Sequence, residues 1–303
     1  ALLLLKTHNE LRTIIFLRPS DPLMETWNGR RLGVAAALDK LLLDQAYSID
    51  DFKTEFAKTT KNLTALYYAP EHQHWGQSLL AEHLNGFKQV FDWRPLLDEM
   101  RLFKSAAEIA LMQQAGQISA LAHIRAMKQM RPNRLEYEIE SEILHEFNRF
   151  GARFSAYNTI VAGGENACIL HYTENNQSLQ DGDLVLIDAG CEFAMYAGDI
   201  TRTFPINGKF TQPQREIYEI VLQAQKRAIE LLVAGNSIQQ ANDEVIRIQV
   251  EGLIRLGILR GEAEALIKNN AHREFYMHGL GHWLGLDVHD VGSYSESVQN
   301  GDR

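Results

Sequence analysis

The chain has 303 residues, 45% hydrophobic and 23% charged, which allows a sizeable core and is too long for one small domain. Its 39 acidic residues outnumber 30 basic ones for a net charge of -9 with no basic stripe, which sets nucleic acid aside as a partner. The longest aliphatic run near a terminus, Leu2 to Leu5, is far short of a membrane span, and two cysteines, Cys168 and Cys191, make no disulfide framework.

A soluble, cytoplasmic protein is therefore expected. The chain opens at Ala1 inside an apolar run and closes on the turn-like Asn300 to Arg303, as expected of a piece of a longer protein. In chain order, Thr13 to Leu17 reads as a buried strand stopped by Pro19 and Pro22. Leu66 to Tyr68 reads as a second, stopped by Pro70. Ser78 to Val90 reads as a helix, with Leu80, Leu84 and Phe87 at helical spacing. These pieces make a small α/β domain over 1–98 that lacks its beginning. A boundary is expected between Trp93 and Lys104. Ser105 and Glu108 then fit a capping box, each satisfying the other's exposed amide, and open a helix to about Met130. A second helix carries Leu135, Ile139, Ile143 and Phe147 on one stripe. Strands are expected at Tyr157 to Gly163, Leu184 to Ile187 and Met195 to Phe204, and helices at Arg215 to Val233 and Ser237 to Leu256. The fold class is α/β (α+β), with a second domain over 99–303.

The strand ending at Ile187 runs into Asp188, and Asp199 follows. Folded as a hairpin about residues 193–194, the two aspartates face each other with Cβ atoms about 4.5–5.5 Å apart. Carboxylates that close repel and raise one pKa unless a cation lies between them. The plainer reading is a turn aspartate at each strand end. Of the 11 histidines, His272, His278, His282 and His289 cluster late in the chain. Gly279, Gly281 and Gly285 argue against a helix there and for a tight turn and a strand, where backbone comes close to other chain or to a ligand. Neutral imidazole with carboxylates suits Mn²⁺, Fe²⁺, Co²⁺ or Zn²⁺. Three such histidines beside an aspartate pair point to a binuclear metal hydrolase, with satisfied core histidines as the plainer alternative.

Four motifs stand in one order: His171 to Asn175, Leu186 to Cys191, Gly198 to Pro205, and His278 to Asp290. From about Met100 onward they resemble the catalytic domain of the pita-bread metallopeptidases, and among these the Xaa-Pro aminopeptidases (aminopeptidase P). Trp27 to Gly33 resembles that family's amino-terminal domain. The resemblance implies a pita-bread catalytic domain and two divalent ions, usually Mn²⁺, bridged by a water or hydroxide. It implies Asp188 on one ion, Asp199 bridging both, and His282 on the other. His278 and His171 would donate to the substrate carbonyl or the tetrahedral intermediate, and His289 would hold the substrate near its proline. Trp27 would reach a neighbouring subunit's site, which implies a homo-oligomer, a tetramer or a dimer, with domain 1–98 serving assembly and substrate access. Substrates would be peptides with proline second. Relatives carry two further glutamate ligands after the His289 region, and the chain stops before either. The catalytic domain is therefore expected to be truncated and the chain as written weak or inactive, with the activity assigned to the parent protein.

Two rivals share these motifs: a prolidase, which cuts only Xaa-Pro dipeptides, and a non-catalytic pita-bread binding module. Elsewhere, His72 and His74 beside Trp75 read as surface or packing residues, and His123 and His145 as solvent-facing. Cys191 reads as structural, because no base is spaced to activate it.

Overall fold

The aliphatic run Leu2–Lys6 (β1) pairs antiparallel with Leu11–Leu17 (β2), and β2 turns Ile14 and Phe16 inward, the alternation of a strand with one covered face. The structure is a computed structural model that describes residues 2–7, 10–69 and 80–294, and the chain divides into two units, Ala1–Leu97 and Asp98–Arg303. In the first unit, helix Pro22–Asn28 (α1) is capped by Asp21, whose carboxylate accepts from the Leu23 and Met24 amides. Helix Gly33–Leu41 (α2) leads to Gln45–Ser48 (β3), which lies parallel to β2. Helix Phe52–Thr60 (α3) inserts Phe52 and Phe56 against Phe16, and Leu66 completes the core from Ala65–Tyr67 (β4). A short helix α4, described over 80–84, is followed by Gln89–Phe91 (β5), parallel to β4.

The division between units falls inside helix Arg94–Leu102 (α5) rather than in a loop. Ser105 and Glu108 form the expected capping box, with the Ser105 amide donating to Glu108 Oε2 at 2.7 Å, and Ala106–Gln129 (α6) follows. Glu136–Arg149 (α7) buries Ile139, Ile143 and Phe147 against it. Phe154–Ser155 (β6) and Ile160–Gly163 (β7) come next, then Leu184–Asp188 (β8), Cys191–Phe193 (β9), Tyr196–Ala197 (β10) and Thr201–Pro205 (β11). They form two small sheets of order β11-β8-β7 and β10-β9-β6. Val185, Ile187 and Cys191 face α6 and α7 in one core with Ile118 and Ile139. Capped helices Gln212–Leu231 (α8) and Ile238–Arg255 (α9) form a pair, and Ala263–Lys268 (α10) precedes the histidine-rich loop.

Several expectations need correction. The helix proposed for Ser78 to Val90 is helical only to residue 84 among the described positions, and its end is strand β5. Leu80, Leu84 and Phe87 pack on the unit's aromatic core all the same, so the apolar spacing reports a covered face without fixing one element. Met195 to Phe204 is two strands, broken at residues 198–200. His123 is buried at 2% exposure, not solvent-facing; its Nδ1 meets the Ser119 carbonyl, and burial lowers its pKa. His145 is exposed, as expected. Cys191 is buried, its thiol directed at the Ala115 carbonyl and its pKa raised by burial, which suits a structural role. His72, His74 and Trp75 lie outside the described residues.

Candidate active site

The ribbon bearing the two aspartates turns at Ala194 and Met195, both at positive φ, as a two-residue hairpin requires. That is one residue later than expected, so the register slides by two: Asp188 faces Thr201, not Asp199. A slide of two keeps side-chain parity, and Asp199 still shares the face of Asp188. Tyr157 joins them, its hydroxyl donating to Asp188 Oδ1 at 2.5 Å and lying 3.1 Å from Asp199 Oδ1. Gly190 is required where the strands cross, because a Cβ there would collide with the Gly198 carbonyl.

The segment 276–294 has no regular element, so the expected strand is absent. Of its glycines, Gly279 and Gly281 stand in open space. Of the three glycines expected to make a close approach, Gly285 alone does so, since a side chain there would strike the Asp290 carboxylate and Lys104. Its carbonyl accepts from the Ala197 amide at 2.8 Å, tying the loop to β10. His282 Nε2 lies 3.2 Å from Asp199 Oδ2, and the His289 ring stacks on that of His282 at 4.0 Å.

Electrostatics make this an unsettled cluster. Burial raises the Asp188 carboxyl above the usual range, the Tyr157 hydrogen bond opposes that, and the charge of Asp199 adds to it. Burial and the charge of Asp188 hold the Tyr157 phenol protonated, so its one proton is given to Asp188 with Asp199 within hydrogen-bond reach of the same hydroxyl. Among the described residues no lysine or arginine is ion-paired with either aspartate. His282 Nδ1 sits 2.9 Å from the Trp283 carbonyl, which only accepts, and this assigns the proton of the neutral ring to Nδ1. Its Nε2 lone pair then faces a carboxylate oxygen, a contact made favourable by positive charge, either on the ring or as a cation between the two.

Two carboxylates and an imidazole short of positive charge fit divalent ions in kind. They are a partial set: among the described residues no three His, Cys, Asp or Glu side chains form a group able to hold a metal ion. Asp188, Asp199, His282 and His289 come together. His278 is exposed, its Nδ1 on the Gly279 carbonyl and its ring edge-on to Tyr276. His171 is exposed beyond the short helix Gly164–Cys168, and among the described residues no contact joins it to the aspartates. Trp27, in the first unit, is 80% exposed on α1. Sequence reasoning missed Tyr157, because a lone tyrosine ahead of a strand carries no spacing signal. It also missed the buried Asp290, which reads in sequence as a loop residue.

Residues 110–303 match the family model for metallopeptidase family M24, and residues 1–67 match that for the aminopeptidase P N-terminal domain. The chain is 70% identical over 299 residues to the Xaa-Pro aminopeptidase of Haemophilus influenzae, covering 99% of this chain and 70% of that protein. It is 52% identical over 301 residues to the Xaa-Pro aminopeptidase of Escherichia coli, covering 96% and 68%. A zinc-substituted E. coli aminopeptidase P in complex with product superposes at TM-score 0.95 and 50% identity, over 97% of this chain and 69% of that one.

Proposed function

The chain belongs to metallopeptidase family M24 and is a metal-dependent aminopeptidase of the Xaa-Pro type, and on that premise we propose Asp188, Asp199 and His282 as its metal ligands. The observation that carries the reading is the half-buried carboxylate pair on one phenol, with an imidazole nitrogen against it and, among the described residues, no lysine or arginine ion-paired with it. Relatives named Xaa-Pro aminopeptidase at 70% and 52% identity disfavour both the prolidase and the non-catalytic reading.

Asp188, Asp199 and His282 would hold divalent ions, whose chemistry there would be a bound water of lowered pKa and polarisation of the scissile carbonyl. The chain's own groups do the rest. Tyr157 keeps its proton and fixes both carboxylates on one face. His282, with its proton on Nδ1, presents a neutral donor nitrogen. His278 and His171 are proposed as donors to the substrate carbonyl as negative charge develops, and exposure leaves both free to meet a substrate. His289 is proposed to hold the substrate near its proline. Manganese is the proposed metal, because the donors are carboxylate-rich. A homo-oligomer, a tetramer or a dimer, is proposed from exposed Trp27, which would reach a neighbouring subunit's site. Domain 1–98 is proposed to serve assembly and access, and 99–303 catalysis. Two free cysteines support a cytoplasmic setting, and no helix among the described residues is long and apolar enough to cross a membrane.

The test is Asp199→Ala in the intact protein, assayed on a tripeptide with proline second and by bound-metal analysis. Turnover and metal content should both collapse, and full activity in manganese-replete buffer would reject the ligand assignment. His278→Ala should lower the catalytic rate far more than metal content; equal losses would make it a ligand instead.

A further inference from the structure

The Asp290 side chain is 1% exposed and sits between two cations. Arg101 Nη2, at the end of α5, contacts its Oδ1, and Lys104 Nζ lies 3.2 Å from its Oδ2. Arg101 also reaches Asp287 at 2.6 Å, so the clamp grips the loop at two points. The absence of a side chain at Gly285 lets the carboxylate reach this position.

The main chain carries the anchor onward. The Asp290 amide donates to the Trp283 carbonyl at 3.0 Å, and that same oxygen accepts from His282 Nδ1 at 2.9 Å. Asp290 therefore fixes the acceptor that sets the tautomer and direction of the His282 ring. It also follows His289 directly in the chain, and His289 stacks on His282. The clamp uses residues just ahead of α6, the helix whose Ala115 and Ser119 cradle Gly198 farther along, so α6 and the turn leading into it support both the aspartate ribbon and the histidine loop.

We propose that Asp290, held between Arg101 and Lys104, is a positioning residue that orients His282 and His289 toward the Asp188–Asp199 pair. It acts as an outer support, of the kind whose loss typically costs about 10- to 100-fold in activity or metal affinity. The proposal rests on His282 belonging to the site, and the experiment separates the two.

Asp290→Asn keeps the side-chain shape and removes the charge. In the intact metal-loaded protein kcat/KM on a Xaa-Pro tripeptide should fall about 10- to 100-fold. In the metal-free protein the imidazole ¹⁵N signals of His282 and His289 should move while that of His171 stays. Arg101→Gln should do the same, the double variant should be no worse than either alone, and Arg101→Lys should recover part of the loss. These readouts are taken per folded molecule, which a general loss of stability would not move. If Asp290→Asn is poorly folded, Lys104→Met reads the same signals. Unchanged histidine signals with unchanged kcat/KM would overturn the anchor, as would a loss matching only the unfolded fraction. His282→Ala is the control. Full activity there would reject the site reading itself, whereas its inactivity beside a fully active Asp290→Asn would reject the anchor alone.

Discussion

Glu136 is fully buried, and among the described residues it has no cationic partner. It is satisfied by four donors instead: Oε1 accepts from the Gly163 amide at 2.9 Å and from Asn166 at 3.2 Å, and Oε2 from the Tyr172 hydroxyl at 2.6 Å and the Gln177 amide at 3.0 Å. Burial, with the bond to Glu136, pushes the Tyr172 phenol up to about 12, so that donor stays a donor through neutral pH. The cluster holds the segment that carries His171. Each donor left unmet in the interior costs about 1–3 kcal/mol, so Glu136→Leu should lose at least about 3 kcal/mol of stability in urea unfolding. Glu136→Gln should lose less, since one oxygen remains to accept. Nothing in the spacing around Glu136 announces this role. It reads in sequence as a first-turn helix acid, and its four partners come from segments up to 41 residues away.

Elements with local causes were the legible ones. The Ser105–Glu108 capping box, the stripe Ile139, Ile143, Phe147 and the pair α8 and α9 follow from contacts within a few residues and form where expected, while Leu135 of the expected stripe falls at the N-cap, outside the helix. The ribbon register was not legible to the residue, because positive φ at Ala194 and Met195, neither of them glycine, leaves no turn signature. The aspartates still met, since a slide of two preserves the face. Tyr157 and Asp290 take their roles from partners 31 and 189 residues away, beyond any pattern in the chain. The capping box also makes a pH prediction. The Ser105 amide, then the Tyr196 hydroxyl, pull the Glu108 carboxyl down to about 2 from an ordinary 4.5. A depressed carboxyl stabilises the fold above its unfolded pKa and loses that contribution as pH falls through the folded one. The start of α6 should therefore weaken between about pH 4.5 and 2, where amide exchange at Ala106 to Glu108 should accelerate. In Glu108→Gln the exchange rates, corrected for intrinsic pH dependence, should lose that step.

At the scale of the molecule, charge left unneutralised in unit Asp98–Arg303 ties its stability to its metal. Asp188 is raised by burial and by Asp199, so the metal-free state bears a repulsion that bound cations remove. A ligand that binds only the folded state stabilises by about 2.7 kcal/mol at a hundredfold excess over its dissociation constant. For a unit of this size that corresponds to roughly 5–10 °C in thermal midpoint. Saturating manganese should therefore raise the melting of this unit by that amount, and excess chelator should return it. The first unit holds none of the proposed ligands and should melt at one temperature in both buffers. Asp199→Asn relieves the repulsion and removes a ligand together, so its midpoint should no longer respond to manganese or chelator. Calorimetry on the intact protein checks all three at once. A metal response that survived in Asp199→Asn would place the ions elsewhere in the chain, and a midpoint indifferent to manganese in the unmodified protein would overturn the carboxylate pair as the site of the ions.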